Sequence, residues 1–205
     1  MDKIIYIVDD DESVITALRN LLSSEGYQIS TFTSPTEFLH QSQYSMPSCL
    51  IVDLNMPDMD GFDVSQNLTE RGYAIPTIFL TGFGTIPITV KAMKAGAFQF
   101  LTKPVMPDEL MQVVSEALAL ADKSHKVSQE KLVLTERYLS LTPREKELMQ
   151  FVTRGLLNKQ VADQMGISEI TAKVHKRRVM EKMSVRSVSE LVRAADKLNL
   201  IKDKE

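Results

Sequence analysis

The first 122 residues alternate short apolar runs with segments whose apolar residues recur at helical spacing. Ile4–Val8, Ile29–Phe32, Cys49–Asp53, Thr77–Thr81 and Phe98–Thr102 have the length and continuity of buried strands. Between them, Ser13–Ser24 brings Val14, Leu18, Leu21 and Leu22 to one helical face, and Ser34-Pro35 opens a short helix with capping chemistry. Gly61–Arg71, Pro87–Ala95 (stopped by Gly96) and a segment starting at Pro107 complete the series. Strands that are apolar almost throughout must be covered on both faces, as parallel sheets are. Five strands in strict alternation with five helices predict a right-handed, doubly wound α/β sheet of order 2-1-3-4-5.

After residue 107 the pattern changes. Asp108–Leu139 contains neither Pro nor Gly and carries Leu110, Val114, Ala117, Leu120 and Ala121 at helical spacing. The last helix is therefore expected to continue into a polar connector, which either packs as a partner helix or stands as a solvated spacer. A fresh start follows at Leu141-Thr142-Pro143-Arg144-Glu145, with Thr142 as N-cap, Pro143 at the first helical position and Glu145 at the capping-box position. Helices are predicted over Pro143–Thr153, Lys159–Met165, Glu169–Met183 and Val188–Leu198, the third capped by Ser168. The 205 residues thus divide into an α/β domain (1–122), a helical linker (123–139) and an all-α four-helix domain (140–205).

Charge sharpens that division. The formal net charge of −3 conceals 6 Lys/Arg against 16 Asp/Glu over residues 1–122, a net of −10, and 14 against 9 over residues 140–205, a net of +5. An acidic body repels nucleic acid and a basic one attracts it. No apolar stretch approaches the ~20 residues of a membrane span, and no cleavage pattern follows the short Ile-rich run near Met1, so a cytoplasmic protein with no membrane partner is expected. The single cysteine, Cys49, has no internal partner and reads as a small buried strand residue. His40, His125 and His175 show no metal-ligand spacing.

The candidate chemistry sits where the apolar runs stop. Asp9-Asp10 follow the first, Asp53 ends the third, Thr81 ends the fourth, and Lys103 follows the fifth. In an open α/β sheet the carboxyl ends of the strands share one edge, where ligands bind, so these groups are expected to converge. A carboxylate attacks phosphorus well when it is positioned in line and a cation offsets the phosphoryl charge. Asp53 is the expected nucleophile, with Asp9, Asp10, Asp53 and a backbone carbonyl near Asn55 as ligands for Mg²⁺, which favours one or two carboxylates plus water and phosphate. Lys103 and the Thr81 hydroxyl would receive the phosphoryl oxygens. Taken singly, Asp-Asp after a strand is more often a helix cap, a role Asp11 also suits.

Ile7-Val8-Asp9-Asp10, Val52-Asp53-Leu54-Asn55-Met56-Pro57-Asp58-Met59-Asp60-Gly61, Leu80-Thr81-Gly82 and Lys103-Pro104 resemble the receiver domain of two-component response regulators. The resemblance implies that a sensor histidine kinase phosphorylates Asp53, that Asp10 is the principal Mg²⁺ ligand and that Lys103-Pro104 tends to a cis peptide. It also implies a switch in which Thr81 moves toward the phosphoryl group and Phe100 turns inward, helped by the permissive loop Gly82-Phe83-Gly84. Similarity to FixJ-type regulators implies a phosphorylation-dependent homodimer with Val90 and Lys94 as contacts.

In the basic domain, Lys159–Ser168 reads as a short helix, a Gly turn and a cap, leading into Thr171-Ala172-Lys173-Val174-His175-Lys176-Arg177-Arg178-Val179-Met180. That is a helix-turn-helix whose second helix is basic. Val174, Met180 and Met183 suit packing, whereas Lys173, Lys176, Arg177 and Arg178 can reach DNA. The segment resembles the LuxR/FixJ type of DNA-binding domain over roughly residues 138–200. The resemblance implies that Lys173, Val174 and Arg177 face bases, that Lys159, Thr171, Lys176 and Arg178 meet phosphates, and that Leu191 and Val192 of the last helix help form a dimer on two half-sites. RNA polymerase is then a further expected partner. Ala172 departs from the Val frequent in relatives.

The leading expectation is a regulator whose DNA binding is activated by phosphorylation, and not an enzyme beyond self-catalysed phosphoryl transfer and slow autodephosphorylation. A haloacid-dehalogenase-like phosphohydrolase is the enzymatic alternative, since Asp9 and Asp11 lie two apart after the first strand. That chemistry needs carboxylates at a later strand end, and none follows Thr77–Thr81 or Phe98–Thr102. A DNA-binding protein with a degenerate receiver is a third reading, against which the pocket's complete set of residues counts.

Overall fold

Alternate residues along a strand face opposite sides of a sheet, and the five apolar runs do so in the computed structural model, which describes residues 3–82, 85–94 and 96–200. The strands are β1 (Ile4–Val8), β2 (Gln28–Phe32), β3 (Ser48–Asp53), β4 (Thr77–Thr81) and β5 (Gln99–Thr102), all parallel, in the order β2-β1-β3-β4-β5. Helices α1 (Glu12–Ser24), α2 (Pro35–Leu39), α3 (Gly61–Glu70), α4 (Ile86–Lys94) and α5 (Pro107–Leu139) alternate with them. Ile5, Ile7, Cys49, Ile51, Ile78 and Leu80 face one side and pack on Ile15, Leu18 and Leu22 of α1 and on Leu110, Val114 and Ala117 of α5. Their neighbours Tyr6, Val8, Leu50, Val52 and Phe79 face the other, against Phe38 of α2, Val64 and Leu68 of α3 and Ala92 of α4. Burying each large aliphatic side chain contributes about 1.5–3 kcal/mol, so both faces of the sheet are held firmly. Burial also pushes the Cys49 thiol up to about 12, which leaves it an inert core residue.

Local chemistry sets the element ends. Asp11 caps α1, its carboxylate accepting from the Ser13 amide at 2.8 Å. Ser34 and Asp60 cap α2 and α3 in the same way. β2 and β3 each start one residue before their apolar run, because Ile4 pairs in register with both Gln28 and Ser48. Helix α4 starts at Ile86, one residue before the expected Pro87, and the expected end at Ala95 lies outside the described residues.

Contacts divide the chain into Met1–His125 and Lys126–Glu205. In the second unit, α6 (Pro143–Thr153), α7 (Asn158–Met165), α8 (Glu169–Met183) and α9 (Val188–Lys197) surround Leu148, Met149, Val161, Val179, Met183 and Leu191. The polar connector is helical as part of α5, and its terminal Leu134 and Tyr138 pack on this core as a partner helix would. Both halves of the Thr142–Glu145 capping box form. Glu145 is 3% exposed and meets Lys182 of α8 at 2.6 Å, which ties the start of α6 to the end of α8. Gly166, with φ of 65°, ends α7 in the left-handed region where glycine is favoured, and Ser168 caps α8. Among the described residues no helix is long and apolar enough to cross a membrane.

Candidate functional site

The parallel register sets Val8 against Val52, so Asp9 leaves β1 beside Asp53 at the end of β3. Lys103, just past β5, sends its ammonium between them, with Nζ 2.7 Å from Asp9 Oδ2 and 2.8 Å from Asp53 Oδ1. The other two carboxylate oxygens accept backbone amides: Asp9 Oδ1 from Asp11 N at 3.0 Å and Asp53 Oδ2 from Asn55 N at 2.9 Å. Both carboxyl groups are buried, Asp9 1% and Asp53 5% exposed, and buried charges persist only when paired and hydrogen-bonded. Burial raises the pKa of Asp9 above the usual carboxylate range, against the opposing pull of Lys103 and the Asp11 amide. Burial works to lower Lys103, but its bonds to Asp53 and Asp9 outweigh it and hold the ammonium above its ordinary value.

Residues separated by up to 94 positions therefore meet at one sheet edge. Asp10 follows Asp9 with its side chain exposed, and Asn55 is exposed beyond Asp53. Thr81 is fully buried at the end of β4, and its carbonyl accepts the Lys103 amide at 2.7 Å. Phe100 is half-buried on the face of the sheet that carries α3 and α4. Val90 (46% exposed) and Lys94 lie exposed on α4. Of the loop Gly82-Phe83-Gly84, only Gly82 lies within the described residues. Two buried carboxylates already converge on one cation, and all their donors are oxygen, which suits Mg²⁺. Among the described residues no three His, Cys, Asp or Glu side chains gather into a metal cage, so any ion would take this pair and complete its shell from the rim and from water.

Two features of the site escaped the sequence reading. Gly61 opens α3 directly against the Asp53 backbone, where an added Cβ would lie 2.5 Å from the Asp53 carbonyl oxygen. Asp60-Gly61 at a helix start was its only signal. Lys91 of α4 lies over the Phe62 ring at 4.3 Å and 3.8 Å from Asp60, linking α4 to the start of α3. Nothing in the one-dimensional pattern indicates that contact.

In the second unit, α7, the Gly166 turn and α8 form the helix-turn-helix. Ala172, Val179 and Met183 are the buried residues of α8. Lys159, Thr171, Lys173, Arg177 and Arg178 are exposed. Val174, which the sequence reading also allowed as a packing residue, is 45% exposed, because the smaller Ala172 takes the inward position. Lys176 is half-buried, within 3.5 Å of Asn158 at the start of α7. Lys173 and Arg177 pair along the helix with Glu169 (3.0 Å) and Glu181 (2.8 Å). Exposed i,i+4 pairs are worth only about 0.3–0.5 kcal/mol, so both cations are readily released to a phosphate or a base.

Comparison with known proteins agrees with both halves. Residues 5–115 match the response regulator receiver domain, and residues 139–195 match the bacterial regulatory proteins of the luxR family. The response regulator protein TodT of Pseudomonas putida is 45% identical over 195 residues, covering 95% of this chain and 86% of TodT. Among solved structures, the response regulator StyR superposes with a TM-score of 0.87 at 39% identity, covering 96% of this chain and all of that one. Full-length FixJ from B. japonicum superposes with a TM-score of 0.58 at 33% identity, covering 97% of this chain and 98% of FixJ.

Proposed function

Because the chain belongs to the two-component response regulators that carry a LuxR-type DNA-binding domain, we propose that phosphoryl transfer to Asp53 controls its binding to DNA. The observation that carries this reading is the buried Asp9–Lys103–Asp53 cluster, in which two carboxylates share one ammonium at 2.7 and 2.8 Å. An Asp53 oxygen forms a bond to phosphorus as the bond between phosphorus and the imidazole nitrogen of a sensor histidine kinase breaks. The imidazole leaves with the electron pair and takes up a proton. Asp9, Asp10, Asp53 and the Asn55 carbonyl would hold Mg²⁺, which offsets the negative charge gathered on the phosphoryl oxygens. Lys103 supplies a positive charge, and Thr81 donates its hydroxyl to a phosphoryl oxygen. Phe100 then takes the space that Thr81 leaves, and the change reaches α4, where Val90 and Lys94 form a homodimer contact.

Residues 1–122 act as the receiver, 123–139 as a helical linker and 140–205 as the DNA-binding domain. Lys173, Val174 and Arg177 face bases, whereas Lys159, Thr171, Lys176 and Arg178 meet phosphates, which supply affinity without sequence information. Phosphorylation shifts the population toward a dimer that binds two half-sites, working in the cytoplasm with RNA polymerase as a downstream partner. The protein turns over no substrate beyond its own phosphorylation and slow dephosphorylation. The test is Asp53→Asn. With acetyl phosphate and Mg²⁺ the parent protein should be labelled and bind DNA more tightly, and the variant should do neither. Continued Mg²⁺-dependent labelling of the variant refutes the assignment.

A further inference from the structure

Ile170 is 76% exposed in the first turn of α8, and Val174 one turn on is 45% exposed. The buried stripe of α8 is Ala172, Val179 and Met183. At about 100° per residue, Ile170 and Val174 each fall within roughly 20° of the pole opposite that stripe, and Arg177 within roughly 40°. Neither helix formation nor core packing accounts for isoleucine there: a β-branched residue is a poorer helix former than lysine or alanine, and its side chain gains nothing by facing water. An apolar strip thus runs along the outermost line of the helix, bordered by the exposed Lys173, Arg177 and Arg178.

That basic border fits a polyanion, yet the Ile170 side chain has neither donor nor acceptor and cannot bind a phosphate or a hydrogen-bonding base edge. The apolar group on the floor of the major groove is the C5 methyl of thymine, and the N-terminal residues of a recognition helix are the ones that reach base edges. Resting on the DNA-binding reading above, we infer that Ile170 is a specificity-determining residue that packs on a thymine methyl group, with Val174 on a second. Residues i and i+4 are about 5–6 Å apart and successive bases on one strand about 3.4 Å, so the two thymines lie one or two steps apart in each half-site.

The test starts from duplexes selected out of a randomised pool by the full-length, acetyl-phosphate-treated protein. Selected half-sites should carry thymines at two such positions. Replacing either thymine by deoxyuridine, which removes only the methyl, should weaken binding about three- to fivefold at constant salt, the effect of one buried carbon. Ile170→Ala should lose this methyl dependence at one position and keep it at the other, with unchanged helix content. Equal binding of thymine and uridine duplexes by the parent protein overturns the inference while leaving DNA binding intact. So does a methyl dependence that survives in Ile170→Ala, or a change of oligomeric state by that variant without DNA. Failure to select any sequence overturns the DNA-binding reading and this inference with it.

Discussion

Gly61→Ala isolates how closely the backbone of the proposed phosphoacceptor Asp53 is packed. The new Cβ would lie 2.5 Å from the Asp53 carbonyl oxygen and 3.3 Å from the Leu54 Cα, where ordinary contact begins near 3.4 Å. All of these neighbours are backbone atoms, so relief requires α3 or the Asp53–Leu54 peptide to move by about 0.9 Å. Overpacking of this kind costs roughly 1–3 kcal/mol, partly offset by up to about 1 kcal/mol from replacing glycine in a helix. Net stability should therefore fall by no more than about 3 kcal/mol. The chemistry suffers more, because displacing a reacting group by about 1 Å costs on the order of 10²-fold in rate. The assay is the rate of Asp53 labelling by acetyl phosphate with Mg²⁺, alongside the thermal midpoint. Gly72→Ala is the control, since its φ of +83° strains any side chain but nothing lies within 4 Å of the added carbon. It should lose stability and keep its labelling rate. A Gly61→Ala protein labelled at the parent rate would show that the close approach does not position Asp53.

Acid should loosen the second unit through Glu145. Burial works against its ionised form, but the Lys182 ammonium and the Thr142 amide outweigh this and hold its pKa below the ordinary 4.5. A depressed carboxylate stabilises the fold above its unfolded value and loses that contribution as pH falls through the folded value. Urea unfolding followed by far-UV circular dichroism should thus show the helical unit weakening below about pH 5. Glu145→Gln should lower stability at pH 7 by about 1–3 kcal/mol and flatten that slope; an unchanged slope would refute the role of Glu145. Lys159→Ala and Lys176→Ala should each weaken DNA binding alike on all sequences and reduce the salt slope by about 1. A slope equal to the parent's would remove that lysine from the phosphate contacts.

The sheet and the cluster of Asp9, Asp53 and Lys103 were legible because one regularity encodes both. Each apolar run marks a strand, and the polar residue that ends it marks the edge where ligands bind. The segment between Asp53 and Gly61 has no such period. Its path depends on Asp58 at φ 70° and on the Met59 amide reaching the Pro57 carbonyl at 2.8 Å. The contact of Gly61 with Asp53 and the Asn55 amide on the carboxylate are consequences of that path, so they could not be read from residue types. On α8 the difficulty was rotational. Valine at 174 suits a core as well as a surface, and only the inward placement of Ala172 turns Val174 and Ile170 outward.

Lys103 joins the chemistry to its consequences. Every carboxyl oxygen of Asp9 and Asp53 already has a donor, so a phosphoryl group on Asp53 must take an oxygen from either Lys103 Nζ or the Asn55 amide. Displacing the amide disturbs only the local loop between β3 and α3. Displacing the ammonium moves a side chain whose own amide is bonded to the Thr81 carbonyl at 2.7 Å and which follows Phe100 by three residues on the same strand end. The second route changes the ends of β4 and β5 together, and α4 lies between those strands in the chain. Under the proposed phosphorylation of Asp53, the bond displaced would therefore decide whether the event stays there or reaches α4, and charge favours displacing the ammonium. A phosphoryl group carries more negative charge and more acceptor oxygens than the carboxylate oxygen it replaces, so Lys103 gains by reorienting onto it, whereas the Asn55 amide is fixed in the backbone.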